Sequence, residues 1–262
     1  MIEVVDLFSG AGGLTFGFQN TIKNNTFVSR NDFNIRFANE FNHDAAEAFR
    51  QNYPRVTMIE EDIANIDEHF LKSKGISSKR VDLVIGGPPC QSFSTVGKRQ
   101  YDKRAKMYRE YRRILSFIQP KMFVFENVPG MLSANPNGIN IVEEITRGFN
   151  KIGYSISTKL SSQAVLNASD YGVPQNRKRV IIFGVNNEFQ SQRAEIDYID
   201  EFYSIMNLKK VSQKVTVLDA IGDLPKFEPI LTKHEKKKAY IEPNENKFNW
   251  HKSRYHSLRD IN

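Results

Sequence analysis

The chain has 262 residues, which at roughly 150 residues per domain allows one large domain, or one domain with a partial second. Hydrophobic residues make up 40% and charged residues 26%, so an ordinary soluble globular fold is expected and disorder is not. The single cysteine excludes an internal disulfide and any zinc site with two or more Cys ligands. No apolar run approaches the roughly 18–20 residues of a membrane span. The first residues, Met1-Ile2-Glu3-Val4-Val5-Asp6, are acidic where a signal peptide would be basic, so the cytoplasm is the expected compartment.

The net charge of +7 is unevenly spread. Residues 97–113 carry eight Lys/Arg against two acids, and residues 226–262 carry nine against five. Two basic patches on a near-neutral body point to a polyanionic partner, nucleic acid first; two solvated faces would give the same counts.

In chain order, residues 2–8 form a buried-type strand, and the glycine-rich turn Ser9-Gly10-Ala11-Gly12-Gly13 leads into a short helix over 14–20. Residues 20–34 are polar and read as a loop or surface excursion. A second strand covers 35–39, and Asn42 can cap a helix over 43–52 that Pro54 ends. A third strand, 81–85, breaks at Gly86-Gly87-Pro88-Pro89. The helix over 105–117 places Met107, Tyr111, Ile114, Leu115 and Ile118 on one face, with Arg109, Arg112 and Arg113 largely off it. Further strands cover 122–125 and 180–185. Strands alternating with helices give a mostly parallel sheet covered on both faces. This α/β domain takes residues 1–185. Residues 186–225 are an extension completing it, polar at first and with apolar periodicity over 215–224. Residues 226–262 are a Lys-rich segment with little core-forming material.

Six pieces carry chemistry. Strand, glycine-rich turn and helix make a nucleotide-type pocket, although Gly10, Gly12 and Gly13 do not fit the G-x-G-x-x-G spacing. Glu40 ends the second strand, where an acid can bond ribose hydroxyls or simply sit at a helix N-terminus. Asp62-Ile63 is a cap or a contact to an adenine edge. Cys90 follows Pro88-Pro89 at the carboxyl edge of the sheet, where a rigidly held thiol suits a nucleophile and a buried Cys would be inert. Glu126-Asn127-Val128 leaves the next strand at the same edge, and a partly desolvated carboxyl there can donate a proton. Gln175-Asn176-Arg177-Lys178-Arg179 is a basic cluster entering the last strand.

With these pieces in their order and spacing, the sequence resembles the DNA (cytosine-5)-methyltransferases of restriction–modification systems. The resemblance rests on residues 6–13, Glu40, Asp62-Ile63, residues 87–94, Glu126-Asn127-Val128 and residues 175–179, with 217–225 like the segment before the family's target-recognition region. It implies a Rossmann-like class I S-adenosylmethionine-dependent methyltransferase fold. It also implies S-adenosylmethionine as donor, no metal, and cytosine C5 in double-stranded DNA as acceptor. Cys90 would add to C6 of a base flipped out of the stack, and Glu126 would hold or protonate N3 and contact the exocyclic amine. Arg177 and Arg179 would orient Glu126 and the adduct. Phe8, Gly10, Ala11, Gly12, Gly13, Glu40, Phe41, Asp62, Ile63, Pro89 and Met107 would form the donor pocket. Ser92, Ser94, Lys98 and Arg99 would lie on a loop closing over DNA.

The resemblance covers about residues 1–225. The family's recognition region and the block whose helix returns over the donor pocket are not found beyond it. Residues 251–260 resemble the threshold of the recognition region, and His251 and His256, five apart on a cationic stretch, do not read as a metal site. The expectation is either a truncated or incompletely covered protein, or the larger subunit of a split enzyme whose second chain supplies recognition. A cognate restriction endonuclease is the implied functional partner, and no membrane is involved. The competing readings are an RNA cytosine-5 methylase and a non-catalytic DNA- or cofactor-binding relic.

Overall fold

Strand β1 takes Ile2–Leu7, and its β-branched Val4 and Val5 are buried with Leu7. The structure, a computed structural model, describes residues 1–23, 26–76, 80–89, 107–135 and 140–224, with the backbone of 228–229 and 240–241. Helix α1 (Gly13–Gln19) follows β1. The segment expected as a loop is a hairpin of β2 (Asn20–Lys23) and β3 (Thr26–Ser29), separate from the main sheet. Thr21-Ile22 and Thr26-Phe27-Val28 have strand propensity inside a polar stretch, and the Phe27 ring packs edge-on against Phe16 of α1 at 4.9 Å.

The chain continues through β4 (Phe33–Glu40), α2 (His43–Asn52), β5 (Thr57–Glu60), α3 (Glu68–Ser73) and β6 (Leu83–Gly86). Asn42 caps α2, its Oδ1 accepting from the Ala45 amide at 3.0 Å. Then come α4 (Met107–Ile118), β7 (Met122–Asn127), α5 (Ile141–Lys151), β8 (Tyr154–Ile156), α6 (Leu160–Gln163), β9 (Val165–Asn167) and β10 (Lys178–Asn186). The polar stretch after β10 holds α7 (Asn187–Ser191) and α8 (Tyr198–Leu208), capped by Asn186 and Asp197. Helix α9 (Val217–Ile221) supplies the apolar periodicity expected there, but its Val217, Leu218 and Ile221 are exposed.

The main sheet runs β5-β4-β1-β6-β7-β10-β8, with β9 also on β10. From β5 to β7 every pairing is parallel, and β10 is antiparallel to β7, β8 and β9. The chain begins in the middle, moves outward to β4 and β5, and returns to the other side of β1 at β6. The strand order therefore reverses between β1 and β6, and a crevice opens there at the carboxyl ends.

Helices lie on both faces, as successive side chains on β7 require. Phe123 and Phe125 meet Tyr111 of α4 and Phe149 of α5. On the opposite face, Phe183 of β10, in register with Val124, stacks on Phe202 of α8 at 4.3 Å. Tyr203 of α8 donates to the Ile181 carbonyl and accepts from the Phe183 amide, so the extension is docked on the sheet. Among the described residues, no helix is long and apolar enough to cross a membrane.

Two polar groups inside this core generate tests. The fully buried Tyr111 hydroxyl reaches the Val84 carbonyl at 3.1 Å and the Val124 carbonyl at 3.0 Å, spanning β6 and β7. Tyr111→Phe should lower stability by about 1 kcal/mol in urea unfolding; an unchanged midpoint would mean the hydroxyl contributes nothing. Asp6 is the one acid fully sealed in the core among the described residues, and burial pushes its carboxyl up to about 7 although Thr15 donates to it at 2.7 Å. Between its unfolded value near ~4 and that folded value, the native state keeps a proton that the unfolded chain has lost, so stability falls as pH rises through this window. Asp6→Asn should flatten that fall. Parallel stability curves from pH ~5 to ~8 for the two proteins would contradict it.

Candidate active site

Four parallel strands end at the crevice and each hands one segment to it. After β1 the backbone turns sharply at Phe8, whose φ of 56° is a left-handed value costly for a bulky residue and typical of functional turns. After β4 come Glu40 and Phe41, after β5 Asp62 and Ile63, and after β6 Gly87, Pro88 and Pro89. A cavity of about 320 Å³ lies between them. Phe8, Glu40, Phe41, Asp62, Ile63, Pro89 and Met107 all line it, together with Asn39 and Gly87, to which the sequence reading gave no pocket role. Ring and aliphatic walls with two carboxylates at the rim suit a ligand with a flat apolar part and hydroxyl or amine donors.

Glu40 organises the rim. One of its oxygens accepts from the Gly10 amide at 2.9 Å and the other from the Asn42 amide at 2.8 Å. The carboxylate thus ties the glycine-rich turn to the start of α2. Asn39, buried beside it, donates to the carbonyls of Ile59 and Glu61 at 3.0 and 2.8 Å and holds the end of β5 in place. Of the two roles left open for Asp62, the cap is present: Oδ1 caps the 3-10 turn Ile63–Asn65 through the Ala64 amide, and the residue also lines the cavity.

The glycines separate. Gly10 stays at the rim through its bond to Glu40, whereas Ala11, Gly12 and Gly13 line a second depression of about 670 Å³, with Asn52, Tyr53, Arg30 and Arg55. The Tyr53 hydroxyl donates to the Gly12 carbonyl at 2.9 Å, which closes the back of the turn.

Glu126 leaves β7 next to the end of β6. Because β10 runs antiparallel to β7, its first residues return to the same edge, with Ile181 opposite Glu126. Arg179 therefore reaches the carboxylate, Nε to Oε1 at 2.8 Å. Gly87 faces the other oxygen so closely that a Cβ there would lie 2.8 Å from it, so any side chain at this position would push the carboxylate aside. Arg177 is exposed, its backbone amide bonded to Asn167 Oδ1, and it makes no ion pair with Glu126. Asn127 is another residue that the sequence reading left without a role of its own. Buried, it donates to the Pro88 carbonyl at 3.2 Å and so fixes the approach to position 90 from the strand that carries Glu126. Cys90, Ser92, Ser94, Lys98 and Arg99 lie outside the described residues.

The basic run over 97–113 is used differently from expectation where it is described. Arg109 pairs with Glu144 of α5, and Arg113 pairs with Glu110 at 2.7 Å and donates to backbone carbonyls. These two side chains are engaged inside the fold, which lowers the share of the patch open to phosphates.

Comparison with known proteins follows the same lines. A profile of the family described as C-5 cytosine-specific DNA methylase matches residues 2–261, well past the 225 positions of the resemblance traced above. The type II methyltransferase M.DdeI of Desulfomicrobium norvegicum is 36% identical over 229 residues, covering 87% of this chain and 49% of that protein. M1.HphI of Haemophilus parahaemolyticus is 34% identical over 231 residues, covering 86% and 54%. The chain spans about half the length of the curated relatives it matches. Among solved structures, a candidate DNA modification methyltransferase encoded within an E. coli prophage superposes with a TM-score of 0.66 at 28% identity, over 94% of this chain and 62% of that one. DNMT2 of Spodoptera frugiperda shares the fold, with a TM-score of 0.51 at 20% identity over 71% of this chain and 50% of that one. The chain belongs to the C-5 cytosine-specific DNA methylase family.

Proposed function

We propose that this chain carries the catalytic part of a DNA (cytosine-5)-methyltransferase of a restriction–modification system. The single observation that supports it most is the cavity at the strand-order reversal, which gathers Phe8, Glu40, Phe41, Asp62, Ile63, Pro89 and Met107 from five separate segments. S-adenosylmethionine, when bound, supplies an electrophilic sulfonium methyl. The residues present fit it. Phe41 stands 72% exposed at the rim, a free aromatic face, and the positive-φ Gly10 opens on space where a Cβ would touch nothing within 4 Å. The Ser9 hydroxyl, in the same turn, is buried without a partner. Phe8, Phe41 and Ile63 hold the adenine, Asp62 its amine edge, and Glu40 the ribose hydroxyls.

The rest is the work of the chain's own groups on cytosine. C5 of cytosine is a weak nucleophile. The Cys90 thiolate adds to C6 and turns the ring into an enamine whose C5 can attack. Glu126 holds or protonates N3, which takes up the charge the addition puts on the ring, and contacts the exocyclic amine, while Arg179 fixes the carboxyl group in place. Once C5 is methylated, loss of its proton expels Cys90. The base reaches this edge by leaving the duplex stack, at a cost of a few kcal/mol. Ser92, Ser94, Lys98 and Arg99 contact the DNA, and Arg177 extends the basic rim. We assign sequence recognition to the part of the relatives' length that this chain does not span, in the same polypeptide or a second subunit, with a cognate endonuclease sharing the target. The enzyme acts in the cytoplasm.

The test is a covalent trap. Assembled with whatever further segment or subunit it uses, the wild type should form a complex with 5-fluorocytosine DNA that survives denaturation, because fluorine cannot leave as the proton does. Cys90→Ser should form none and transfer no tritiated methyl while still binding donor. Equal trapping by the serine variant would exclude Cys90 as the nucleophile.

A further inference from the structure

Arg113 sits on α4 in the run that sequence alone assigns to phosphate contacts or to a solvated face. Its guanidinium does neither. Nη1 donates to the Ile66 carbonyl at 2.7 Å, Nη2 to the Ile63 carbonyl at 2.6 Å, and Nε to Glu110 at 2.7 Å. The group lies over the Phe117 ring at 5.5 Å. The two carbonyls belong to the 3-10 turn Ile63–Asn65 and to Ile66, its C-cap. A turn of three residues has little internal bonding, and carbonyls at a helix C-terminus need outside donors. A planar fork of N–H groups meets two of them at once with little loss of freedom.

The location gives this strut its meaning. Asp62 and Ile63 form one wall of the rim cavity, and Met107, on the same helix as Arg113, forms another. The Ile66 and Ile63 carbonyls lie 47 and 50 residues from Arg113 in sequence, and this one side chain joins their segment to α4. We propose that Arg113 is a positioning residue for the donor pocket. It fixes the Asp62–Ile63 wall against α4 and so sets donor affinity while touching neither donor nor DNA. This rests on the reading of the cavity as the donor site. A shift of about 1 Å in such a supporting wall is enough to loosen a site.

The experiment is calorimetry of S-adenosylhomocysteine with the wild type, R113M and R113K, alongside unfolding midpoints and DNA affinity over a salt series. R113M keeps the stem on Phe117 and removes every donor; R113K keeps the charge and loses the fork. Donor affinity should fall about tenfold or more in R113M, with R113K between. In turnover, KM for the donor should rise more than kcat falls, and amides 63–66 should exchange faster in the variant. DNA affinity and its salt slope should stay as in the wild type, because no phosphate contact is lost. A purely structural role would lower the midpoint and leave donor affinity alone. Folded R113M binding donor within about twofold of wild type overturns the proposal, as does a salt slope reduced by about one. If R113M does not fold, R113K decides by the same criteria. Wild type that binds no S-adenosylhomocysteine overturns the donor-site reading and this proposal together, whereas wild-type binding with unchanged variants overturns this proposal alone.

Discussion

Parallel strands deliver their carboxyl ends to one edge, and every feature of the site depends on that constraint. β1, β4, β5, β6 and β7 are paired in parallel, so Phe8, Glu40, Asp62, Pro89 and Glu126 leave the sheet side by side although they span more than a hundred positions in sequence. β10 adds the one group that a parallel strand there could not. Running the other way, it brings its first residues to that edge and puts Arg179 on Glu126. Had β10 been parallel, Arg179 would sit at the far edge and the carboxylate would lack its cation.

Within that frame a few polar side chains set the distances. Glu40 links the glycine-rich turn to α2, Asn39 holds β5, Asn127 holds Pro88, and Arg113 holds the turn after Asp62. Each is buried or half-buried, and each bonds backbone groups of a different segment. Such bonds are worth about 1 kcal/mol apiece, more where one partner is charged, so their larger effect is on where the walls stand.

Much of this was legible in sequence. Strands β1 and β7 and helices α2 and α4 announce themselves through apolar runs, caps and the breakers Gly86-Gly87-Pro88-Pro89. The hairpin β2–β3 was hidden by its polar composition, and β8 and β9 are three residues each, too short for a period. Helix α5 escaped notice although Asn140 caps it and Ile141, Ile145 and Phe149 step along one face. At the site, Glu40 was readable from its place at a strand end and Asp62 as a cap, although strand β5 before Asp62 was not anticipated. Asn39, Asn127 and Arg113 were not, because their partners are carbonyls 20 to 50 residues away, which leave no local pattern. Distance also hid the partners of two arginines of the basic run: Arg109 pairs with Glu144, 35 residues away, and Arg113 bonds carbonyls 47 and 50 residues away besides Glu110 one turn back.

Two depressions flank the glycine-rich turn, and the account places the donor in one of them. A crystal structure with bound S-adenosylhomocysteine tests this most directly. The account predicts the adenine ring among Phe8, Phe41 and Ile63, with the ribose hydroxyls on Glu40. Ligand lodged instead in the depression bounded by Gly12, Gly13 and Tyr53 would contradict it.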